Sequence, residues 1–280
     1  MMAIARFLRR PIKNVAEFPI RMLPAGARAA ALERMVDRMV TTVPVARSTL
    51  VFYSPTPALI ARARSVLTKE PDTIAWIDGF GENQVLWDIG ANVGAFSVYA
   101  AATNQTSVLS FEPSAANYYV LNRNIQLNSL SSRIHAYPVA FSDHTGLGSL
   151  NLSTVAMGGS LSQFGNIGEL PPYVESQAPA AIQAGLGFSV DDFISIFRAP
   201  FPNHLKIDVD GIELSILRGA ADTLRDPRLK SLIVEINMTA EHECRSTLNL
   251  LRESGLRLAT RGPEQVAGGQ IAANHLFERV

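Results

Sequence analysis

From Val85 to Ala100 the sequence reads VLWDIGANVGAFSVYA, and no other stretch constrains the fold as much. An apolar run ends in an acid, Asp88. Two glycines, Gly90 and Gly94, then bracket Asn92, and apolar residues resume at helical spacing. The same strand-to-helix change recurs in SVLSFEP followed by SAANYYVLNRNIQLNSL, and in HLKIDVD followed by GIELSILRGAADTLRD. RIHAYPVAFSD and LKSLIVEIN read as further strands, and Thr239 to Ser254 as a helix. LRLATRG and NHLFERV read as a closing antiparallel pair. Strands alternating with helices predict an α/β, doubly wound, mostly parallel sheet. Residues 1–82 read as a helical N-terminal extension and residues 83–280 as one catalytic domain. Within the latter, GLGSLNLST adds a short strand or hairpin, and residues 156–187, rich in Gly, Pro, Ser and Ala, form an insertion or lid.

Composition narrows the partners. Twenty-five basic and 25 acidic residues balance, so nothing favours a phosphate backbone, and no nucleic acid is expected. One cysteine, Cys244, excludes an internal disulfide and fits a reducing, cytoplasmic setting. No run reaches the ~20 apolar residues of a transmembrane helix. The N-terminus carries Arg6, Arg9, Arg10 and Lys13 around Ile4, Phe7 and Leu8. It reads first as an arm packed on the domain or on a second subunit, giving a homodimer. An anionic membrane surface is the alternative.

In a doubly wound sheet, ligands sit beyond the carboxyl ends of the strands, where Asp88, Gly90, Asn92 and Gly94 fall. Bare glycine backbone there lets a ligand approach. Glu112 ends the next strand and is placed to accept both hydroxyls of a ribose. A dinucleotide site would carry a glycine where Asn92 stands and another where Ser97 stands, and Asp88 would repel a pyrophosphate. S-adenosylmethionine has a ribose, an ammonium group and no phosphate, so the loop suits it better.

At this point DIGANVGAFSVYAA, SFEPSAANYYVLNRNIQLN and LKIDVDGIELSILRGA, in this order, resemble the FkbM family of S-adenosylmethionine-dependent methyltransferases. Asp210 stands where Glu is the commoner family choice. The resemblance implies a Rossmann-like class I methyltransferase fold, a seven-stranded sheet with an antiparallel last strand. It also implies methyl transfer to the hydroxyl of a sugar, polyketide or similar small molecule. Its cofactor positions carry over to Asp88, Gly90, Asn92, Gly94 and Glu112, beside Ser97. Ala140, Phe141 and Asp143 would lie near the adenine, unless Asp143 simply starts the turn SDHTG.

Moving a methyl to a hydroxyl needs that oxygen held in line, and a base for its proton. Period two places Lys206, Asp208 and Asp210 on one side of their strand. Asp208, Lys206 and Glu235 are the candidate catalytic residues, with Asp208 equally suited to the cofactor's amino group. Asp210 and Glu213 read as a helix cap. His144 and His275 are secondary candidates for the base, and no metal is expected. The alternatives are an N-methyltransferase, or a non-catalytic protein that binds S-adenosylmethionine.

Overall fold

The computed structural model describes residues 22–46, 48–165, 178–267 and 270–280. The basic residues Arg6 to Lys13 and the 166–177 part of the expected lid lie outside them. The chain opens with helix α1 (Ala25–Asp37) and a hairpin of β1 (Val40–Val45) and β2 (Ser48–Tyr53), then α2 (Pro57–Ser65) and α3 (Pro71–Asp78). Next come β3 (Val85–Ile89), α4 (Ala95–Thr103), β4 (Ser107–Phe111), α5 (Ala115–Leu127) and β5 (Ile134–Tyr137). Four short strands follow: β6 (Ala140–Phe141), β7 (Gly146–Leu152), β8 (Gln163–Phe164) and β9 (Ala181–Phe188). The second half holds α6 (Val190–Phe197), β10 (His204–Ile207), α7 (Glu213–Arg218), α8 (Ala221–Arg225) and β11 (Ser231–Asn237). It ends with α9 (Glu241–Glu253), β12 (Leu256–Arg261), β13 (Gln265–Ala267) and β14 (Gln270–Arg279).

The main sheet runs β12-β14-β11-β10-β3-β4-β5, seven strands in path, with β13 pairing β14 as an eighth. Strands β3, β4, β5, β10 and β11 are parallel, and β14 runs antiparallel to all three strands it pairs with, as expected. Parallel strands covered on both faces are apolar throughout. Leu86, Trp87 and Ile89 accordingly bury fully, and Asp88, equally buried, is the one polar residue among them. On one face Trp87, Phe111, Phe141 and Phe193 pack edge to ring or tilted, with centroids 4.8–6.1 Å apart. Truncating Trp87 to alanine there would cost about 3–5 kcal/mol.

Two expectations change. Residues 1–82 are not simply helical, because β1 and β2 form a six-residue antiparallel pairing. Leu50 and Phe52 of that hairpin share one core with Val98 of α4 and Leu121 of α5. Asn124 and Asn128, one turn apart on α5, dock it by bonding the backbone N–H groups of Tyr53 (2.8 Å) and Val51 (2.9 Å). The run RIHAYPVAFSD also divides. Its first half is β5 of the main sheet, whereas Ala140 and Phe141 join a second sheet in the order β6-β9-β7-β8. The insertion therefore contributes strands β8 and β9 to that second sheet.

Candidate active site

Register builds the site. Asp88 on β3 pairs Ser110 on β4 and Lys206 on β10, and Lys206 pairs Ile233 on β11, so these side chains form one row on one face. Two residues further along the same face come Asp208 and Glu235 at the carboxyl rim. Asp88 is 1% exposed, and its Oδ2 accepts from Ser97 Oγ at 2.6 Å, which in turn accepts from Ser110 Oγ at 2.7 Å. Ser97 is fully buried, so it reaches the site through Asp88 and not directly. Asp88 Oδ1 has no hydrogen-bond partner among the described residues. Burial raises the Asp88 carboxyl above the usual range, while Lys206 and Ser97 pull it down. An unsatisfied buried carboxylate oxygen at a strand end is an acceptor waiting for a donor.

Glu112 stands beside it just beyond β4. Its Oε2 accepts from the backbone N–H of Asn92 and its Oε1 from that of Ser114, both at 2.8 Å. Burial pushes this carboxyl up to about 7, against the downward pull of those two bonds. The glycines act differently from the expectation. A Cβ on Gly90 (φ 83°) would lie 1.9 Å from the Asp208 carbonyl oxygen, and one on Gly94 (φ 77°) 2.3 Å from Leu121 Cδ1. Their bareness makes room for the protein's own packing as well as for left-handed backbone.

At the rim Lys206 is 2% exposed and donates to Asp208 Oδ2 at 2.7 Å. Burial works against its charge, but Asp208, Glu70 and Asp88 outweigh it and hold the ammonium above the ordinary lysine range. Burial alone would raise Asp208, yet Lys206 brings that carboxyl below its ordinary value. Glu235 has no such partner. Burial, then Asp208 and Glu213, push it up to about 8.

The helix-cap reading of Asp210 is corrected. Ile212 stands at the cap of α7, and Asp210, in left-handed backbone (φ 63°), accepts from Leu161 N–H at 2.6 Å. Burial and Asp208 push it up to about 6. Glu213 does serve the backbone, accepting from Gly211 N–H at 3.0 Å. Asp143 and His144 form an exposed pair with each other (2.7 Å). His275 is buried opposite Val234, so it projects away from Glu235 and does not reach the rim. Among the described residues no three His, Cys, Asp or Glu side chains converge as a metal site.

Ala140 and Phe141 line a cavity of about 30 Å³ with Gly90, Phe111, Pro113, Ile212 and, across it, Ser162 and Phe164. That is about one water molecule's share of space. The segment MGGSLSQF straps over this end of the sheet. Gly159 O accepts from Asn92 Nδ2 (2.7 Å) and Asn117 Nδ2 (3.0 Å), Gly158 O accepts from Arg62 Nε (2.6 Å), and Leu161 reaches Asp210.

Sequence reasoning missed Arg62, Lys69 and Glu70. Glu70 is 3% exposed and accepts from Thr73 Oγ1 (3.1 Å) and Asn274 Nδ2 (3.0 Å), the residue in register with Glu235. Lys69 and Arg62 are close enough to favour the ionised forms of Asp208 and Asp210.

Residues 88–258 match the model of the methyltransferase FkbM domain, more than half of the chain. The chain is similar to Methyltransferase 1 of Beauveria bassiana, with 23% identity over 66% of this chain and 77% of that protein. It is also similar to the hexuronic acid methyltransferase AglP of Haloferax volcanii, with 26% identity over 56% of this chain and 57% of that one. Among solved structures, a methyltransferase FkbM of Methylobacillus flagellatus aligns with a TM-score of 0.45 and 14% identity, over 94% of this chain and 60% of that one.

Proposed function

Because the chain belongs to the FkbM methyltransferase family, we propose that this methyltransferase takes its methyl from S-adenosylmethionine and delivers it to a hydroxyl oxygen of a small metabolite or sugar. The observation that carries this reading is the unpartnered Asp88 Oδ1, buried beside the Glu112 carboxylate at the same sheet end. The two acids suit an ammonium and a ribose respectively. The apolar walls of Ala140, Phe141, Phe111 and Ile212 suit a purine, once Phe164 and Ser162 withdraw with the strap. Bound there, the cofactor would supply an electrophilic methyl on a cationic sulfur.

The residues of the chain then divide the work. Lys206 keeps Asp208 ionised, so Asp208 orients a donor and is a poor proton acceptor. Burial pushes Glu235 up to about 8, which suits a base acting near neutral pH. We assign it the hydroxyl proton. Arg62 and Lys69 put positive charge on the acceptor side, which favours an acidic sugar, and a hexuronic acid is what AglP methylates by its name. The single cysteine keeps the reading of a cytoplasmic enzyme.

The test is transfer of a labelled methyl to uronic acids, neutral hexoses and amines, with the methylated atom located by NMR. O-methylated uronic acid is the expected product. Methylation of amines alone would overturn the assignment to oxygen.

A further inference from the structure

Helix α1 buries none of its 13 residues. Leu32 (45% exposed), Met35 (48%) and Val36 (37%) share one apolar face of the helix open to solvent, and Met39 (40%) continues it just past the helix end. The helix is held at its end by an ion pair between Asp37 and Arg123 at 3.2 Å and by Ser54 N–H on Met39 O. A helix of this length is marginal in water by itself, so its stripe calls for a covering surface. An arm packed on its own domain, the simplest expectation for this region, is not what α1 forms.

Charge identifies what covers it. Residues 1–40 hold eight basic residues (Arg6, Arg9, Arg10, Lys13, Arg21, Arg28, Arg34 and Arg38) and three acids (Glu17, Glu33 and Asp37). That segment therefore carries a net charge of +5 in a chain of net zero, and the remaining 240 residues carry −5. A two-fold contact between copies would bring two segments of like net charge together. An anionic bilayer instead meets both features at once, the cations at its headgroups and the apolar stripe at the acyl boundary. We propose that the exposed apolar face of α1 holds the enzyme peripherally on an anionic lipid surface. Among the described residues no helix is long and apolar enough to cross a membrane, so the attachment lies in the interface plane. It is independent of the cofactor assignment.

The test is co-sedimentation of the full chain with vesicles of phosphatidylcholine alone, or of phosphatidylcholine with phosphatidylglycerol. Light scattering in their absence gives the oligomeric state. Binding to the anionic vesicles only is expected, with loss toward about 1 M salt, where screening shortens to about 3 Å. The surface variant L32S/M35S/V36S should bind at least about tenfold more weakly, with an unchanged melting temperature and unchanged turnover of a soluble acceptor. Three results would each overturn the proposal: no binding to anionic vesicles, equal binding to neutral ones, or a dimer that this variant dissociates.

Discussion

The two ends of the same parallel strands handle buried polarity in opposite ways. At the amino end His204 uses both ring nitrogens, on Ser231 Oγ (2.7 Å) and Gln84 Oε1 (2.5 Å), and Ser231 also accepts from Trp76 Nε1 (2.7 Å). Phe80 stacks on the imidazole at 3.8 Å, and burial lowers His204 to about 3, so it stays neutral. At the carboxyl end Asp88 Oδ1 has no partner among the described residues, and burial pushes Glu112 and Glu235 to about 7 and 8. The larger cleft, about 490 Å³, opens at the amino end beside the paired His204 and Ser231, where Asp72 Oδ1 and, just before β4, Thr106 Oγ1 lack partners among the described residues. Buried carboxyls held well above their ordinary range, and not volume, are what support the carboxyl end as the proposed site.

Substitutions can break this contrast. The largest effect is expected from Glu235→Gln, which removes the proposed base and should lower kcat about 10²–10⁴-fold with little change in cofactor affinity. A drop of less than about tenfold would move the base elsewhere. Next, His204→Ala leaves the Ser231 hydroxyl without its acceptor, takes one of two donors from Gln84 Oε1, and opens a hole beside Phe80. It should cost about 2–4 kcal/mol in chemical denaturation while leaving kcat/KM alone. Arg62→Ala, on the side proposed for the acceptor, should raise KM for an acidic sugar about tenfold and leave a neutral one unchanged.

The smallest effect concerns pH. Glu112, Glu213 and Glu235 all titrate higher in the fold than their ordinary value of 4.5. The fold therefore binds more protons than the unfolded chain between about 4.5 and 8, so stability falls as pH rises through that window and levels off above it. His204 acts the other way only below its ordinary value of 6.5. Denaturation midpoints at pH 6 and pH 9, read with and without S-adenosylhomocysteine, check this. A ligand-free protein more stable at pH 9 would contradict it.

Much of this was legible in the chain. Alternating apolar runs and helical periods place β3, β4, β10 and β11, and hence Asp88, Glu112, Lys206 and Asp208, because strand ends follow from where the runs stop. The β1–β2 hairpin was not legible. Pro44 interrupts its first strand and no Asn-Gly turn marks the reversal, although STLVFY is strand-like in retrospect. Glu70 was not legible either, since its role arises from Asn274, 204 residues away. The glycine loop was read correctly in place but for half the reason. Spacing cannot show that the Asp208 carbonyl fills the space beside Gly90.

The central claim is that Asp88 and Glu112 wait for one cationic, ribose-bearing ligand. Calorimetric titration with S-adenosylhomocysteine, beside NAD, tests it on the wild type and on Glu112→Ala. Micromolar binding of the first compound alone, weakened about 10–100-fold in the variant through the lost charge-assisted hydrogen bonds, is the predicted result. Binding of NAD instead, or equal affinity in wild type and variant, would contradict it.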